Sequence, residues 1–356
     1  MSMIRADLSL LSNYVQGRDI ADLVKLSSNE SPHGPLPTVR QAVIHALDKA
    51  NRYPDMAAME LRSTIATWAS DLHPNLPAVT PENVTVGNGS SAICLQIVHA
   101  TCHDGDEVIF PWRSFEAYPG LCRIAGATPV AVPLTPDLRN DLPAMAAAVT
   151  DRTRLIIVCN PNNPTGTTVT DAEFREFMGS IPETIPVVLD EAYIDYTDSD
   201  TPDGLSLLSE FPNLAVMRTF SKAYGLAGLR LGFLVGHRTF VEGVSKVGVP
   251  FAVSSLALAA GVTSLAAQDE LRERVETTCR QRERVVAAVR EDLRVPSETN
   301  FVWLPLGERS EEIAELMIEH GVVVRCFAGE GVRLTVTDEA ETEALIAALE
   351  GAGLTA

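Results

Sequence analysis

Residues 219–233 read TFSKAYGLAGLRLGF. A single amine, Lys222, stands behind two hydroxyl residues, Thr219 and Ser221, and ahead of three glycines and Arg230. Taken alone, the Ser-Lys pair is a weak signal, and a solvated surface lysine is the default. A lysine meant to form a Schiff base would need its ammonium pKa lowered, and partial desolvation beside another cation does that. In that reading the small neighbours let a bulky cofactor approach the backbone. Thr219, Ser221 and Arg230 would offer donors to a phosphate, and Gly225 and Gly228 would allow a tight turn.

Outward from this stretch, short apolar runs alternate with helical patterns. The strand candidates are NVTVGN, EVIF, RLIIVCN, PVVLDEAY, LAVMRTF and LRLGFLVG, with helical segments such as SAICLQIVHATC and DAEFREFM between them. Strands apolar at nearly every position predict a parallel sheet covered on both faces, hence an α/β fold. In such sheets ligands bind beyond the carboxyl ends of the strands. The polar oddities fall there: GNGSS, CNPNNPTG, DEAY and TFSK.

Each of these has a functional and a plain reading. Asp190, at the end of a buried strand, is costly unless it faces a cation such as a protonated pyridine nitrogen, or else it is solvated at the strand end. Tyr193 could donate to a phenolic oxygen on the same ring. In GNGSS, Gly89, Ser90 and Ser91 could open a helix that holds a phosphate, or Ser90 or Ser91 could simply cap it. Asn163 lies between prolines that would aim its amide, or the loop is only a rigid turn. GNGSSA also carries two glycines of a dinucleotide fingerprint, with Ala92 in third place. The acid such a fold needs would fall in DGDEV, before a strand rather than at its end, and Lys222 and Asp190 would be left unexplained.

Composition bounds the rest. The chain has 356 residues, 46% of them hydrophobic, enough for one large domain and a smaller one. A net charge of −19, with no basic run, argues against nucleic acid or an anionic membrane as partner. Six scattered cysteines without a CxxC pair predict neither a disulfide framework nor a metal site, and they fit a reducing cytoplasm. The first residues lack the apolar core of a signal peptide. Residues 247–268 are free of charge, but Pro250 and many small residues point to a tightly packed buried helix rather than a membrane span. The predicted division is an N-terminal arm and helix (1–50) packing with the C-terminal part, a large domain (51–245) and a small α/β domain (246–356).

Together and in this order, GNGSS, NPNNPTG, DEAY and TFSKAYGLAGLRLG, with RYPD before and GVRLTV after, resemble the fold-type-I pyridoxal-phosphate aminotransferases. The similarity is to the histidinol-phosphate aminotransferase branch. Within it, SSNESPHGPLP, WRSFEAYP and NFVWLPLG are most similar to the actinobacterial aromatic amino acid aminotransferases. The resemblance covers essentially the whole chain. It implies an α/β fold with a mostly parallel sheet between helices, plus a smaller α/β domain. It implies pyridoxal 5'-phosphate as cofactor and a ping-pong Schiff-base transamination at Lys222. The amino group would pass between an aromatic amino acid and a 2-oxo acid such as 2-oxoglutarate, with histidinol phosphate as the alternative substrate.

By the same resemblance Asp190 would pair with the ring nitrogen, and Tyr193 and Asn163 with the ring oxygen. Gly89, Ser90, Ser91, Thr219, Ser221 and Arg230 would surround the phosphate, and Phe115 would stack on the ring where relatives often carry tyrosine. Tyr53 would reach the partner subunit's phosphate, making a homodimer with shared sites. Arg333 would hold the substrate carboxylate, with Arg325, Tyr14 and Asn29 nearby. Trp112, Tyr14 and Phe251 are candidates for the side-chain pocket.

Overall fold

The apolar runs become the strands of a seven-stranded sheet in a computed structural model that describes Leu11 and residues 17–355. Small-sheet strand β1 is Val24–Leu26 and comes first in the chain. The large-sheet strands are β2 (Val84–Gly87), β3 (Glu107–Trp112), β4 (Thr128–Pro133), β5 (Thr153–Cys159), β6 (Val187–Asp190), β7 (Leu214–Thr219) and β8 (Gly232–Gly236). Their order is β2-β8-β7-β6-β5-β3-β4. The pairs from β4 through β7 are parallel, whereas β8 runs antiparallel to both β7 and β2. The reversed β8 fits the expected mostly parallel sheet, and it matters. It begins at the edge where the others end, so Arg230, just before it, meets Lys222, just after β7.

Strand β4, TPVAVP, escaped the sequence reading. It is an edge strand with prolines at its second and last positions, where ladder bonds can be forgone. Between β3 and β5 the chain order reverses direction across the sheet, which opens a crevice at the carboxyl edge.

Alternation along the strands sorts the side chains. Leu155, Ile157, Val188, Ala215 and Met217 face one side, packing on the helix Ser90–Thr101 through Ile93, Ile97 and Val98. Ile156, Val158, Val187, Leu189 and Leu214 face the other, against Phe174, Phe177 and Met178 of the helix Asp171–Ser180.

A second, four-stranded sheet has the order β1-β10-β11-β9, where β9 is Phe301–Leu304, β10 Val322–Phe327 and β11 Gly331–Thr335. The arm thus joins it directly, β1 pairing parallel with β10. One face, with Val302, Leu304, Val322, Val324, Val332 and Leu334, packs on the helices Gln268–Ala288, Ser310–Glu319 and Glu339–Gly351. The other presents Arg325 and Arg333, which are in register across β10 and β11.

The charge-free run divides at its proline. Residues 247–254 form a loop, and the helix Ser255–Ala266 follows, capped by the Ser254 side chain. Ala257, Ala260 and Gly261 of that helix are buried, and the helix packs closely against Pro37–Leu47. Among the described residues no helix is long and apolar enough to cross a membrane.

Candidate active site

Period-two alternation decides which acid of DEAY faces what. Asp190 shares the parity of Val188 and emerges on the side of Cys159 and Tyr118. Glu191, one residue on, emerges on the other. Neither is solvated, at 5% and 1% exposure. Glu191 Oε2 accepts from Arg218 Nε at 2.7 Å, and its Oε1 accepts from the Gly204 amide at 2.7 Å. Its charge is therefore absorbed by a structural ion pair. Asp190 is held by neutral donors instead: the Tyr118 hydroxyl at 2.6 Å and the Ala192 amide at 3.2 Å. Burial pushes its pKa up to about 6, partly offset by those two hydrogen bonds.

Asp190 opens on a cavity of about 740 Å³ at the carboxyl edge, closed over by the small sheet. Lys222 projects into it from the loop after β7. Its ammonium donates to the Ser28 and Asn29 carbonyls, each at 3.3 Å. Desolvation, helped by the positive charges of Arg333 and Arg230, brings its pKa down to about 7. That meets the chemical requirement set out for a nucleophilic lysine.

At one end of the cavity the helix Ser90–Thr101 begins. Its Gly89 cap residue makes no side-chain cap, so the first amides point outward to the space bordered by Ser90, Ser91, Thr219, Ser221 and Arg230. Gly89, at φ +83°, is required twice over: a Cβ there would overlap the Arg230 guanidinium. Gly232 lets β8 start beside this helix, since a Cβ would come within 2.6 Å of the Ser90 nitrogen. Arg230 itself adopts a left-handed backbone, φ 56°, and so does Asn29, φ 53°. Strained residues on both cavity walls mark the site as over-determined by its surroundings.

At the other end, Arg333 is 6% exposed, with Nη1 on Asn163 Oδ1 at 2.6 Å and Nη2 on the Ser27 carbonyl at 3.1 Å. Asn29 Nδ2 donates to the Tyr193 hydroxyl at 3.0 Å. Burial also raises the Tyr193 pKa. Phe115 borders the cavity and meets Tyr118 edge-on at 5.4 Å. Arg325 Nη2 donates to both carboxylate oxygens of Glu116 at 2.9 Å.

The cofactor and substrate-carboxylate candidates in the described region therefore converge on this cavity except two. Gly89 shapes it without lining it, and Tyr53 lies 84% exposed elsewhere on the chain. Tyr14 lies outside the described residues. Two candidates for the side-chain pocket also lie outside this chain's cavity. Phe251 sits beside Tyr53, ring centroids 4.8 Å apart and away from the cavity, because the loop after Pro250 carries it to the surface. Trp112 packs on Phe110 and under the Arg113 guanidinium. Sequence reasoning missed Tyr118 and Glu116. Both lie in WRSFEAYP, at the end of β3 by the chain reversal, and their partners Asp190 and Arg325 are distant in sequence, so no local signal marks them.

These geometries describe an enzyme that holds an anionic, ring-bearing group against an amine. The sequence profile of the family Aminotransferase class I and II matches residues 21–349, and the chain belongs to that family. It is 55% identical to the aromatic amino acid aminotransferase of Corynebacterium jeikeium (strain K411), over 98% of this chain and 94% of that one. It is 52% identical to the protein of the same name from Corynebacterium glutamicum (strain R), over 98% of each. In structure it matches histidinol-phosphate aminotransferase from Sinorhizobium meliloti, solved in complex with pyridoxal-5'-phosphate. That match has a TM-score of 0.87 at 29% identity, covering 99% of this chain and 98% of that one. The fold is thus that of fold-type-I aminotransferases, whose cofactor is pyridoxal phosphate. The residues present fit that group: a buried carboxylate held, among the described residues, by neutral donors, uncapped helix amides flanked by hydroxyls and an arginine, and an amine of lowered pKa.

Proposed function

We propose that the chain transfers amino groups between aromatic amino acids and a 2-oxo acid with pyridoxal phosphate bound in this cavity. The observation that carries the substrate is the 50–55% identity to proteins named aromatic amino acid aminotransferase. Ser90, Ser91, Thr219, Ser221, Arg230 and the amides after Gly89 would hold the phosphate. Asp190 would accept the ring N–H, Tyr193 and Asn163 would donate to the ring oxygen, and Phe115 would cover the ring face. When bound, the cofactor supplies a carbonyl carbon that bonds the substrate amine and a protonated ring that withdraws electrons from Cα.

The chain's own residues do the rest. Arg333 grips the substrate carboxylate with two parallel donors, which fixes the Cα–H bond relative to Lys222. The Lys222 amine, half neutral near pH 7, would take the proton from Cα and hold it for its return. Asn29, through Tyr193, keeps that hydroxyl oriented. The low exposure of Asp190, Asn163 and Arg333 excludes bulk water while the proton moves.

We also place the working molecule in a homodimer, in the cytoplasm, with the division 1–50, 51–245 and 246–356. The exposed group Tyr53, Met56, Val249 and Phe251 supports the dimer, because a run of large apolar side chains at the surface calls for cover. A second reading, histidinol phosphate as donor, is favoured by the two arginines on the small sheet, which suit a phosphate as well as a carboxylate. Single-turnover absorbance of the cofactor-loaded protein with phenylalanine, tyrosine and histidinol phosphate separates them. Faster conversion of the aromatic pair is expected, and a clear preference for histidinol phosphate would overturn the assignment.

A further inference from the structure

Tyr193 has one hydroxyl proton to give, and its direction is set from outside the cavity. The hydroxyl accepts from Asn29 Nδ2 at 3.0 Å. The Asn29 amide is held at its other end by Thr335, whose hydroxyl donates to Asn29 Oδ1 at 3.1 Å and accepts the Asn29 backbone N–H at 3.0 Å. None of the three residues is more than 3% exposed. The Asn29 backbone is left-handed, φ 53°, and its carbonyl accepts from Lys222 and from Asn300 Nδ2, each at 3.3 Å. Three parts of the chain thus meet: Thr335 from β11 of the small sheet, Asn29 from the arm and Tyr193 from the loop after β6.

This chain of hydrogen bonds has a direction, because a hydroxyl has one proton and an amide has distinct ends. The Asn29 N–H can only donate, so Thr335 receives it and sends its own proton to Asn29 Oδ1. Turning the amide over would leave that buried proton without an acceptor, since among the described residues Thr335 has no other. With the amide so fixed, Tyr193 receives a hydrogen bond from Asn29 and keeps its own proton for the cavity. Burial raises the Tyr193 pKa, so the proton is there to donate.

We propose that Thr335 is a positioning residue for the transamination: through Asn29 it aims the Tyr193 hydroxyl at the cofactor's ring oxygen. This rests on the reading above that places Tyr193 at that oxygen, and deepens it. A donor there stabilises negative charge on the oxygen and makes it a weaker holder of the proton that the loaded site takes up as pH falls. Losing the donor therefore raises the pH midpoint of the bound cofactor's absorbance. The charged groups around Tyr193, namely Arg333, Asp190 and Lys222, are the same in every variant below.

The test titrates the absorbance of the cofactor-loaded protein against pH, and the cofactor affinity of the cofactor-free protein by fluorescence. Tyr193→Phe should raise the midpoint by about one unit. Thr335→Val, which keeps the shape and removes the hydroxyl, should raise it by about half a unit and weaken affinity about threefold. Thr335→Ser keeps the hydroxyl and should titrate like the wild type; if it titrates like the valine variant, the methyl group is responsible and the proposal fails. On the Tyr193→Phe background Thr335→Val should add nothing, because no proton is left to orient. A wild-type midpoint in Thr335→Val, or an equal further rise on the phenylalanine background, would overturn the proposal. Thr335→Ala is read in the same way if the valine variant folds poorly by circular dichroism. A wild-type midpoint in Tyr193→Phe would instead remove Tyr193 from the ring oxygen, and with it the reading on which this rests.

Discussion

Burial works against the charged form of both Lys222 and Asp190. Burial lowers the lysine to about 7 and raises the aspartate to about 6. For Lys222, the unfolded chain binds more protons between about pH 7 and 10.5, so its penalty on the cofactor-free fold is full below pH 7 and fades as pH rises. For Asp190, the penalty is full above about pH 6 and is relieved as pH falls towards 3.8. Asp190→Asn should therefore stabilise the cofactor-free protein by about 2 kcal/mol at pH 7.5, read as a higher melting temperature, while abolishing turnover. A lower melting temperature would mean that the carboxylate earns its place structurally. Tyr118→Phe keeps the ring against Phe115 but removes the hydroxyl that steadies the charged Asp190. The acid limb of the kcat/KM profile should shift upward, and cofactor affinity at pH 7 should fall several-fold by equilibrium dialysis. Lys222→Ala should cut turnover by at least about a thousandfold with an unchanged far-ultraviolet spectrum.

At this scale Lys222, Asp190 and Arg230 were legible, because charged groups inside apolar runs need a reason. Tyr118 was not, since its hydroxyl meets Asp190 across 72 residues of sequence, and nothing local marks that meeting.

At the scale of elements, the start of the helix Ser90–Thr101 bears the heaviest demand. It must leave its first amides bare, and Gly89 must turn the chain at positive φ beneath Arg230. Gly89→Ala should weaken cofactor binding at least about tenfold, through left-handed strain and displacement of that guanidinium. Fluorescence titration of the cofactor-free protein measures it, and unchanged affinity would remove Arg230 and the turn from the phosphate site. The buried parallel strands were readable because each is apolar on both faces. The edge strand β4, interrupted by prolines, lacks that pattern. Residues 247–254 were misread for a related reason: absence of charge signals burial or packing, and Pro250 alone decides that the chain loops there before the helix begins.

Across the whole molecule, the sequence order of motifs predicted a shared edge, and the sheet order explains why that edge is one place. What could not be read was how the small sheet closes over it, because the pairs that join the halves, Arg113 with Glu330 and Arg325 with Glu116, lie 217 and 209 residues apart. Tyr53 poses the remaining question of scale. It is 84% exposed, remote from its own cavity and surrounded by exposed apolar side chains, as expected of a residue that serves a neighbouring copy.

If it does, Tyr53→Ala and Lys222→Ala damage different chains of the same site. Each variant alone should be nearly inactive. Unfolded together in equal amounts and reassembled, half of the dimers would pair one chain of each kind, and one of their two sites would be native. The mixture should recover roughly a quarter of wild-type turnover. If Tyr53 instead served its own chain, the mixed dimers would hold one site without the lysine and one without the tyrosine, and no activity would return. Sedimentation at twice the 38.3 kDa chain mass must accompany the recovery. Recovery by a species of single-chain mass would rule out the shared site.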